Sequence, residues 1–370
     1  MTQFSQDWRE VPLGDLVTFQ RGYDITKAQQ REGPYPVISS SGIKSYHAEY
    51  MFDGPGVIIG RKGSLGTVFY SASQYWPHDT TLWVKNFHGN DPRFCYFFLQ
   101  GMGFQQYDVG AANPTLNRNH IHSLPVAIPP LPTQQRIAAI LSAYDDLIEN
   151  NTRRIAILEE MARRLYEEWF VHFRFPGHEA VEFVAEGDDR HPVGWVLGLL
   201  SDYIELKYGK ALKASERVEG PFPVFGSSGV VGTHNRSLVD GPGIIVGRKG
   251  NVGSVFWSED PFHPIDTVYF VHTALPLEYV YFNLERQNFL NNDAAVPGLN
   301  RQQAYSLPFL CPPNELLLRF VDVCKPLFAA HRLLNLKNAN LRAQRDLLLP
   351  KLVSGEIDVS EAEAELEAAE

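Results

Sequence analysis

The chain is poor in the features that mark membrane, secreted, metal-binding or nucleotide-hydrolysing proteins. No apolar run approaches the ~18 residues that span a bilayer, and the opening MTQFSQDWRE lacks the basic-then-apolar order of a secretory signal. The expectation is a cytoplasmic protein with no membrane partner. Cysteine is scarce. Cys95, Cys311 and Cys324 are odd in number and show no CxxC spacing, which suits buried reduced thiols and excludes a disulfide or zinc framework. A phosphate loop is missing too, because in GVIIGRKGS Arg61 stands where the GxxxxGK[ST] pattern needs glycine. NPTL at Asn113 falls short of the NPPY-type tetrad of amino-methyltransferases, its counterpart begins with Val296, and no methyl-donor fingerprint accompanies either.

Positive charge is also in deficit, with 33 Lys and Arg against 43 Asp and Glu and a formal net charge of −10. Nucleic-acid binders usually carry a basic face, so the balance at first argues against one. Its distribution weakens the objection. Seven acids and no base lie between Ser354 and Glu370, and removing them from −10 leaves −3 for the rest. That acidic run reads as a solvated tail.

What the chain does have is globular composition, with 44% apolar and 12% aromatic residues, and a length that favours two domains. It also has a repeat. DGPGVIIGRKGSLGTVFY from Asp53 returns as DGPGIIVGRKGNVGSVFW from Asp240, 187 positions on. From Gly33 to Val84 against Gly220 to Val271, 25 of 52 positions are identical without a gap, and the same offset sets Trp8 on Trp195, Asp15 on Asp202 and Gly22 on Gly209. At an offset of 183, NPTLNRNHIHSLPVAIPP from Asn113 matches VPGLNRQQAYSLPFLCPP from Val296. Two copies of one domain follow.

Runs such as Val57–Ile59 and Val68–Tyr70, β-branched and aromatic between Gly and Pro, predict strands joined by a hairpin-like GRKGSLG loop. The segments from Asp91 and from Leu275 read as short helices, so each copy is mixed α and β. After each copy a 4-3 spacing begins. It runs through Ile137, Leu141, Tyr144, Ile148, Asn151, Ile155, Leu158, Ala162, Leu165 and Trp169, and again through Phe320, Cys324, Leu327, His331, Leu334, Asn338, Leu341, Arg345, Leu348 and Leu352. Each is a coiled-coil seam. Pro326 is expected to disturb the early part of the second. An antiparallel register whose residue numbers sum to 489 sets Asn151 opposite Asn338, Ile148 opposite Leu341 and Ile155 opposite Leu334. A buried Asn pair would lock that register; the alternative is that both Asn residues sit at a frayed edge. At 1.5 Å per residue the seam predicts a rod of about 45 to 50 Å with like heads at opposite ends.

The expected fold class is therefore α+β, with two similar mixed α/β domains separated by two long helices that form an antiparallel coiled coil. The expected boundaries are a first domain over 1–132, a first helix over 133–175, a linker over 176–194, a second domain over 195–315, a second helix over 316–353 and an acidic tail over 354–370.

Catalytic equipment is not evident. Asp202 with Glu205-Leu206-Lys207 hints at a metal nuclease, but the aligned Thr18 and Gln20 carry no such groups. His120 and His122 hint at a metal, but their counterparts Gln303 and Tyr305 do not sustain it. No catalytic, metal or cofactor residue is assigned. Both copies instead keep a set suited to a polyanion. Arg61-Lys62 and Arg248-Lys249 lie on glycine-framed loops; Ser40, Ser41 and Gly42, with Ser227, Ser228 and Gly229, add small donors; His47, His234, Arg118 and Arg301 complete it. Solvated loop tips are the bland alternative. Asp79-Thr80 and Asp266-Thr267 are expected to hold the loops by turn hydrogen bonds.

The tandem domains, each closed by LNR…LP…PP and followed by a long helix, resemble the specificity subunit of type I restriction-modification systems over essentially the whole chain. IPPLPTQQRIAAIL at Ile128, LEEMARRLYEEWFVHF at Leu158 and LRAQRDLLLPKLVSGEI at Leu341 look like the family's conserved-region helices, and VIIGRKGSLGTVFY looks like part of its target recognition domains. Where the family usually has Glu-Gln after PPL and one residue, this chain has Thr133-Gln134, and its second copy reads PPNELLLRF. The resemblance implies a non-catalytic DNA-specificity subunit that reads a bipartite site in double-stranded DNA. It also implies docking of two methyltransferase subunits and, through them, of restriction subunits; adenine methylation and ATP-dependent cleavage would reside in those partners. The alternatives are a specificity subunit of a bifunctional type II system and a tandem ligand-binding protein with no DNA. Likeness around the two basic loops predicts similar half-sites.

Overall fold

A computed structural model describes residues 7–107, 115–186, 189–289, 298–357 and 359. Asn113 and Val296, which open the two closing motifs, lie outside the described residues, as do Asp358 and the acidic run from 360 onward. The chain divides into two units, Met1–Asn151 with Lys337–Glu370, and Thr152–Leu336. Each unit holds one head and a part of each long helix.

In the first unit the head carries a four-stranded antiparallel sheet, in the order Thr18–Arg21, Thr81–Asn86, Gly56–Gly60, Val68–Ser71. In a three-stranded sheet the central strand Tyr35–Ser39 pairs antiparallel with Gly42–His47 and in parallel with Trp76–Pro77. Arg9–Pro12 pairs with Pro125–Ile128 beside the head's closing motif. Gly56–Gly60 is an uninterrupted apolar strand because both of its faces are covered. Val57 and Ile59 enter the main core with Phe94, Phe97 and Leu116, whereas Ile58 enters a smaller core with Ile38, Tyr75 and Trp83.

The helix Pro92–Gly101 starts where the Asp91 carboxylate accepts from the Phe94 N–H at 2.8 Å and where proline takes the first helical position. Its Arg93 lies 4.4 Å over the Tyr70 ring, donates to Ser142 Oγ at 3.0 Å and pairs with Asp145 at 3.3 Å. This fixes the head to the first long helix.

The second unit repeats the plan. Its four strands run Ile204–Tyr208, Val268–Thr273, Gly243–Gly247, Val255–Ser258, and its three-stranded sheet runs Gly229–His234, Phe222–Gly226, His263–Pro264. Ile244 and Val246 face the larger core and Ile245 the smaller one, as in the first copy. A short hairpin, Phe183–Glu186 with Asp189–Pro192, precedes this head. Where the first head is fixed through Arg93, the second adds ring packing to the ion pairs Arg163–Glu285 and Arg286–Glu167. Phe328 lies 4.8 Å from Trp257, and Tyr166 packs among Tyr279, Phe282 and Phe320.

The long helices are Leu131–Tyr166, continued by a π-helical turn Glu167–Val171, and Asn314–Val353. They form an antiparallel coiled coil. In the first unit Arg345 donates to Asp145 at 2.7 Å and Asn151 Nδ2 donates to Asn338 Oδ1 at 3.0 Å, so partner numbers fall on one helix as they rise on the other. Asn151 is 7% exposed and Asn338 2%, and Asn338 Nδ2 donates in turn to the Ile148 carbonyl at 3.3 Å. In the second unit His331 meets Glu159 at 3.0 Å, in the same antiparallel sense. The expected disturbance at Pro326 does not occur, for the helix continues through it. Proline removes one N–H from the ladder, but Phe320, Cys324 and Leu327 on either side are packed in the head's core, and that packing holds the turn. Cys95 and Cys324 are buried free thiols and Cys311 is half-buried; burial pushes the Cys324 thiol up to about 12. No helix among the described residues is long and apolar enough to cross a membrane.

Asn151→Ala removes the N–H that donates to the buried Asn338 Oδ1 and should cost about 1 to 3 kcal/mol. Replacing both residues by Leu should recover or exceed wild-type stability. Urea unfolding of the three proteins checks this; a neutral single substitution would remove the Asn pair as a register lock.

Candidate nucleic-acid interface

The basic loop of the first head spans Gly60 to Thr67. Its ends are closed by Gly60 N–H to Thr67 O at 2.8 Å and Gly66 N–H to Gly60 O at 2.9 Å. Gly63 and Gly66 have φ of +77° and +71°, and a Cβ on Gly60 would lie 2.0 Å from the Ser64 carbonyl oxygen. Only glycine satisfies these positions. Leu65, 8% exposed, anchors the loop in the core.

The basic pair is not on a free tip. Arg61 N–H and Lys62 N–H both donate to the Thr80 carbonyl, at 2.8 and 3.1 Å, and the Arg61 carbonyl accepts from Leu116 N–H at 3.0 Å. Thr80 Oγ1 accepts from Ser40 N–H at 3.3 Å, and Thr67 Oγ1 donates to the Ser40 carbonyl at 2.6 Å. Four separate segments, the serine tip, the basic loop, the Asp-Thr turn and the LNR motif, are thereby stapled together. Asn117 then caps the helix Arg118–His122 through Asn119 N–H at 3.0 Å, which starts that helix with an exposed Arg118.

The second head makes the same staple. Arg248 N–H and Lys249 N–H donate to the Thr267 carbonyl at 2.9 and 3.1 Å, and Leu299 N–H donates to the Arg248 carbonyl at 2.7 Å. Ser254 Oγ donates to the Ser227 carbonyl at 2.7 Å, and Gly250 and Gly253 have φ of +82° and +76°. Asn300 caps the helix Arg301–Tyr305 through Gln302 N–H at 2.8 Å.

The expected residues thus divide. Lys62 and Lys249 are exposed, Arg61 and Arg248 half-buried, and Arg118 and Arg301 exposed beside them. Ser41 and Ser228 stand exposed at the hairpin tips next to Gly42 and Gly229, whose φ are +107° and +95°. Ser40 and Ser227 serve through their backbone. His47 and His234 do not stand with this group. His47, 3% exposed, accepts from Arg31 N–H at 2.9 Å, and His234 accepts from Val218 N–H at 3.1 Å. Their Nδ1 atoms brace a neighbouring loop, five residues along the strand from the glycine of the tip. His122 is likewise structural. Its Nε2 accepts from Phe19 N–H at 2.9 Å, and burial followed by Arg118 lowers its pKa, which keeps it neutral. Tyr305 takes that role in the second head, its hydroxyl accepting from Leu206 N–H at 2.9 Å.

The two sites differ in the groups around the staple. In the first head Arg21 Nη2 pairs with Asp79 Oδ2 at 3.1 Å, and His78 Nδ1 lies 3.0 Å from the other Asp79 oxygen. Lys44 Nζ lies 3.3 Å from His78 Nε2. Asp24, His78 and Asp79 come within 4.8 Å of one another, but Lys44 and Arg21 already supply the positive charge there, so the group is an ion-pair network. Arg61 Nη1 is buried without a hydrogen-bond partner, and burial, then Arg21, lowers the Arg61 pKa against the pull of Asp79.

In the second head Arg248 lies 5.0 Å over Tyr208 and 5.7 Å over Tyr269, with Nη1 on the Asp266 carbonyl at 2.9 Å. Arg301 lies 5.2 Å over the same Tyr208 and 5.9 Å over Tyr305. Arg21, His78, Lys44, Tyr208 and Tyr269 were not signalled by the repeat, because each aligns with an unlike residue in the other copy.

Duplicated mixed α/β heads, each with an anchored basic loop, and two long helices define a class of tandem-domain proteins. Residues 5–160 match the family description "Type I restriction modification DNA specificity domain". The chain is 25% identical over 302 residues to the type I restriction enzyme MjaIX specificity subunit of Methanocaldococcus jannaschii, covering 72% of this chain and 69% of that protein. It is 23% identical over 331 residues to the HindI specificity subunit of Haemophilus influenzae, covering 66% and 71%. In fold it is similar to the type I restriction-modification S subunit from M. genitalium, with a TM-score of 0.59 at 17% identity over 95% of this chain and 97% of that one. Residues 5–160 thus carry the DNA specificity domain described for type I restriction-modification systems, and the chain is similar over most of its length to specificity subunits of those systems.

Gly60→Ala and Gly247→Ala, whose new methyl groups would meet the Ser64 and Asn251 carbonyl oxygens at 2.0 and 2.1 Å, should each destabilise the affected head by about 1 to 3 kcal/mol. Thermal unfolding reads the effect; wild-type melting would show that the loop is not held as described.

Proposed function

We propose that this chain is a non-catalytic subunit that reads a bipartite site in double-stranded DNA, one half-site per head, with an unread spacer between. It would dock two methyltransferase subunits and, through them, restriction subunits, and those partners would carry adenine methylation and ATP-dependent cleavage. The observation that supports this best is the repeated staple. In both heads an Arg-Lys pair is fixed by its backbone to a Thr carbonyl and to the LNR segment, which leaves Lys62 and Lys249 exposed and an Arg at the start of a short helix beside each. A pre-set cluster of cations and small donors meets phosphates without further ordering cost, and phosphate contacts set register while base contacts give sequence. The net negative charge of the chain is no obstacle, because seven of the ten excess negative charges lie in the segment from Ser354 to Glu370.

DNA binding by the chain assembled with its methyltransferase partner tests the proposal. Lys62→Ala and Lys249→Ala should each flatten the plot of log K against log salt by about one unit and weaken target and non-target DNA alike. An unchanged slope in both variants would take the basic loops out of the interface.

A further inference from the structure

The two heads share one staple but differ in what surrounds it. Position 21 is Arg where position 208 is Tyr, position 78 is His where 265 is Ile, and position 44 is Lys where 231 is Val. In the first head these three residues act together. Lys44 donates to His78 Nε2, His78 Nδ1 faces one Asp79 oxygen, and the other Asp79 oxygen takes Arg21 Nη2. Asp79 is mostly buried, whereas the Arg21 side chain remains 54% exposed. A carboxylate held from behind thus orients a guanidinium whose remaining N–H groups have no partner among the described residues. The second head keeps the carboxylate as Asp266 but has neither the His nor the Arg. It lays Arg248 and Arg301 on the face of Tyr208 instead.

We infer that Arg21, positioned by Asp79 and His78, is a guanine-reading residue of the first head, and that the second head reads a different half-site with two arginines pre-set on Tyr208. This rests on the DNA-reading proposal above. It replaces the expectation of similar half-sites, which followed from the residues the copies share. The planar fork of an oriented Arg matches the paired O6 and N7 acceptors of guanine in the major groove, and Lys, a point charge on a flexible stem that the Asp79 carboxylate cannot orient as a fork, matches them less well. A phosphate contact at Arg21 would instead need only the charge.

The test is the methylated motif of DNA from a host that expresses the full chain with its methyltransferase partner. Arg21→Ala should reduce discrimination at one guanine-bearing position of one half-site by about 5- to 150-fold, and leave the other half-site unchanged. Arg21→Lys, which keeps the charge, should lose most of that discrimination. Tyr208→Arg combined with Ile265→His should add a guanine requirement to the opposite half-site. Melting curves identify any variant that fails to fold, and the two Arg21 variants decide the matter without the double one. An unchanged motif in Arg21→Ala, full discrimination in Arg21→Lys, or equal loss in both half-sites overturns the inference. A wild-type chain that yields no two-part motif would instead overturn the parent proposal.

Discussion

Two consecutive backbone N–H groups directed at one Thr carbonyl are the contact on which the rest of each head depends. Arg61 and Lys62 share Thr80 in the first, and Arg248 and Lys249 share Thr267 in the second. The contact requires a loop that turns back on itself twice, which is why glycine recurs at 60, 63 and 66 and at 247, 250 and 253. It also places the LNR segment, because the carbonyl of the same Arg accepts from Leu116 or Leu299. Without it the basic pair would be an ordinary solvated tip. With it, charge is presented on a frame that belongs to the head's core.

The helical pair answers a separate constraint. A long 4-3 seam of Leu, Ile and aromatic residues could slide by a heptad at little cost, and the buried Asn151–Asn338 pair penalises any such slip. The attachment of each head to its part of the pair is made differently. Arg93, Ser142, Asp145 and Arg345 form a polar network in the first unit, and Trp257, Tyr166, Phe320 and Phe328 an aromatic one in the second.

Much of this was legible beforehand because duplication filters a sequence. Residues kept at matching positions gave the strands around Ile58 and Ile245, the glycine loops, the LNR caps and the helical seam. The register summing to 489 followed from two Asn residues out of place in otherwise apolar seams. The same filter hid what is individual to each head. Arg21 and Tyr208 align with each other, so a search for shared chemistry discards both, although they set the surroundings of Arg61 and Arg248. Some residues are kept in both copies for a reason internal to the head. His47 and His234 recur because each braces a loop backbone. Pro326 was judged by local propensity, and tertiary packing overrode it.

The central claim is that two anchored basic loops on separate heads of one chain read two parts of one DNA target. The most direct test is a map of methylated adenines in a genome modified by the wild-type chain with its methyltransferase partner. The account predicts a single motif of two short specified blocks, methylated on opposite strands and separated by unspecified bases of constant number. One contiguous motif, or two blocks at variable separation, would contradict it.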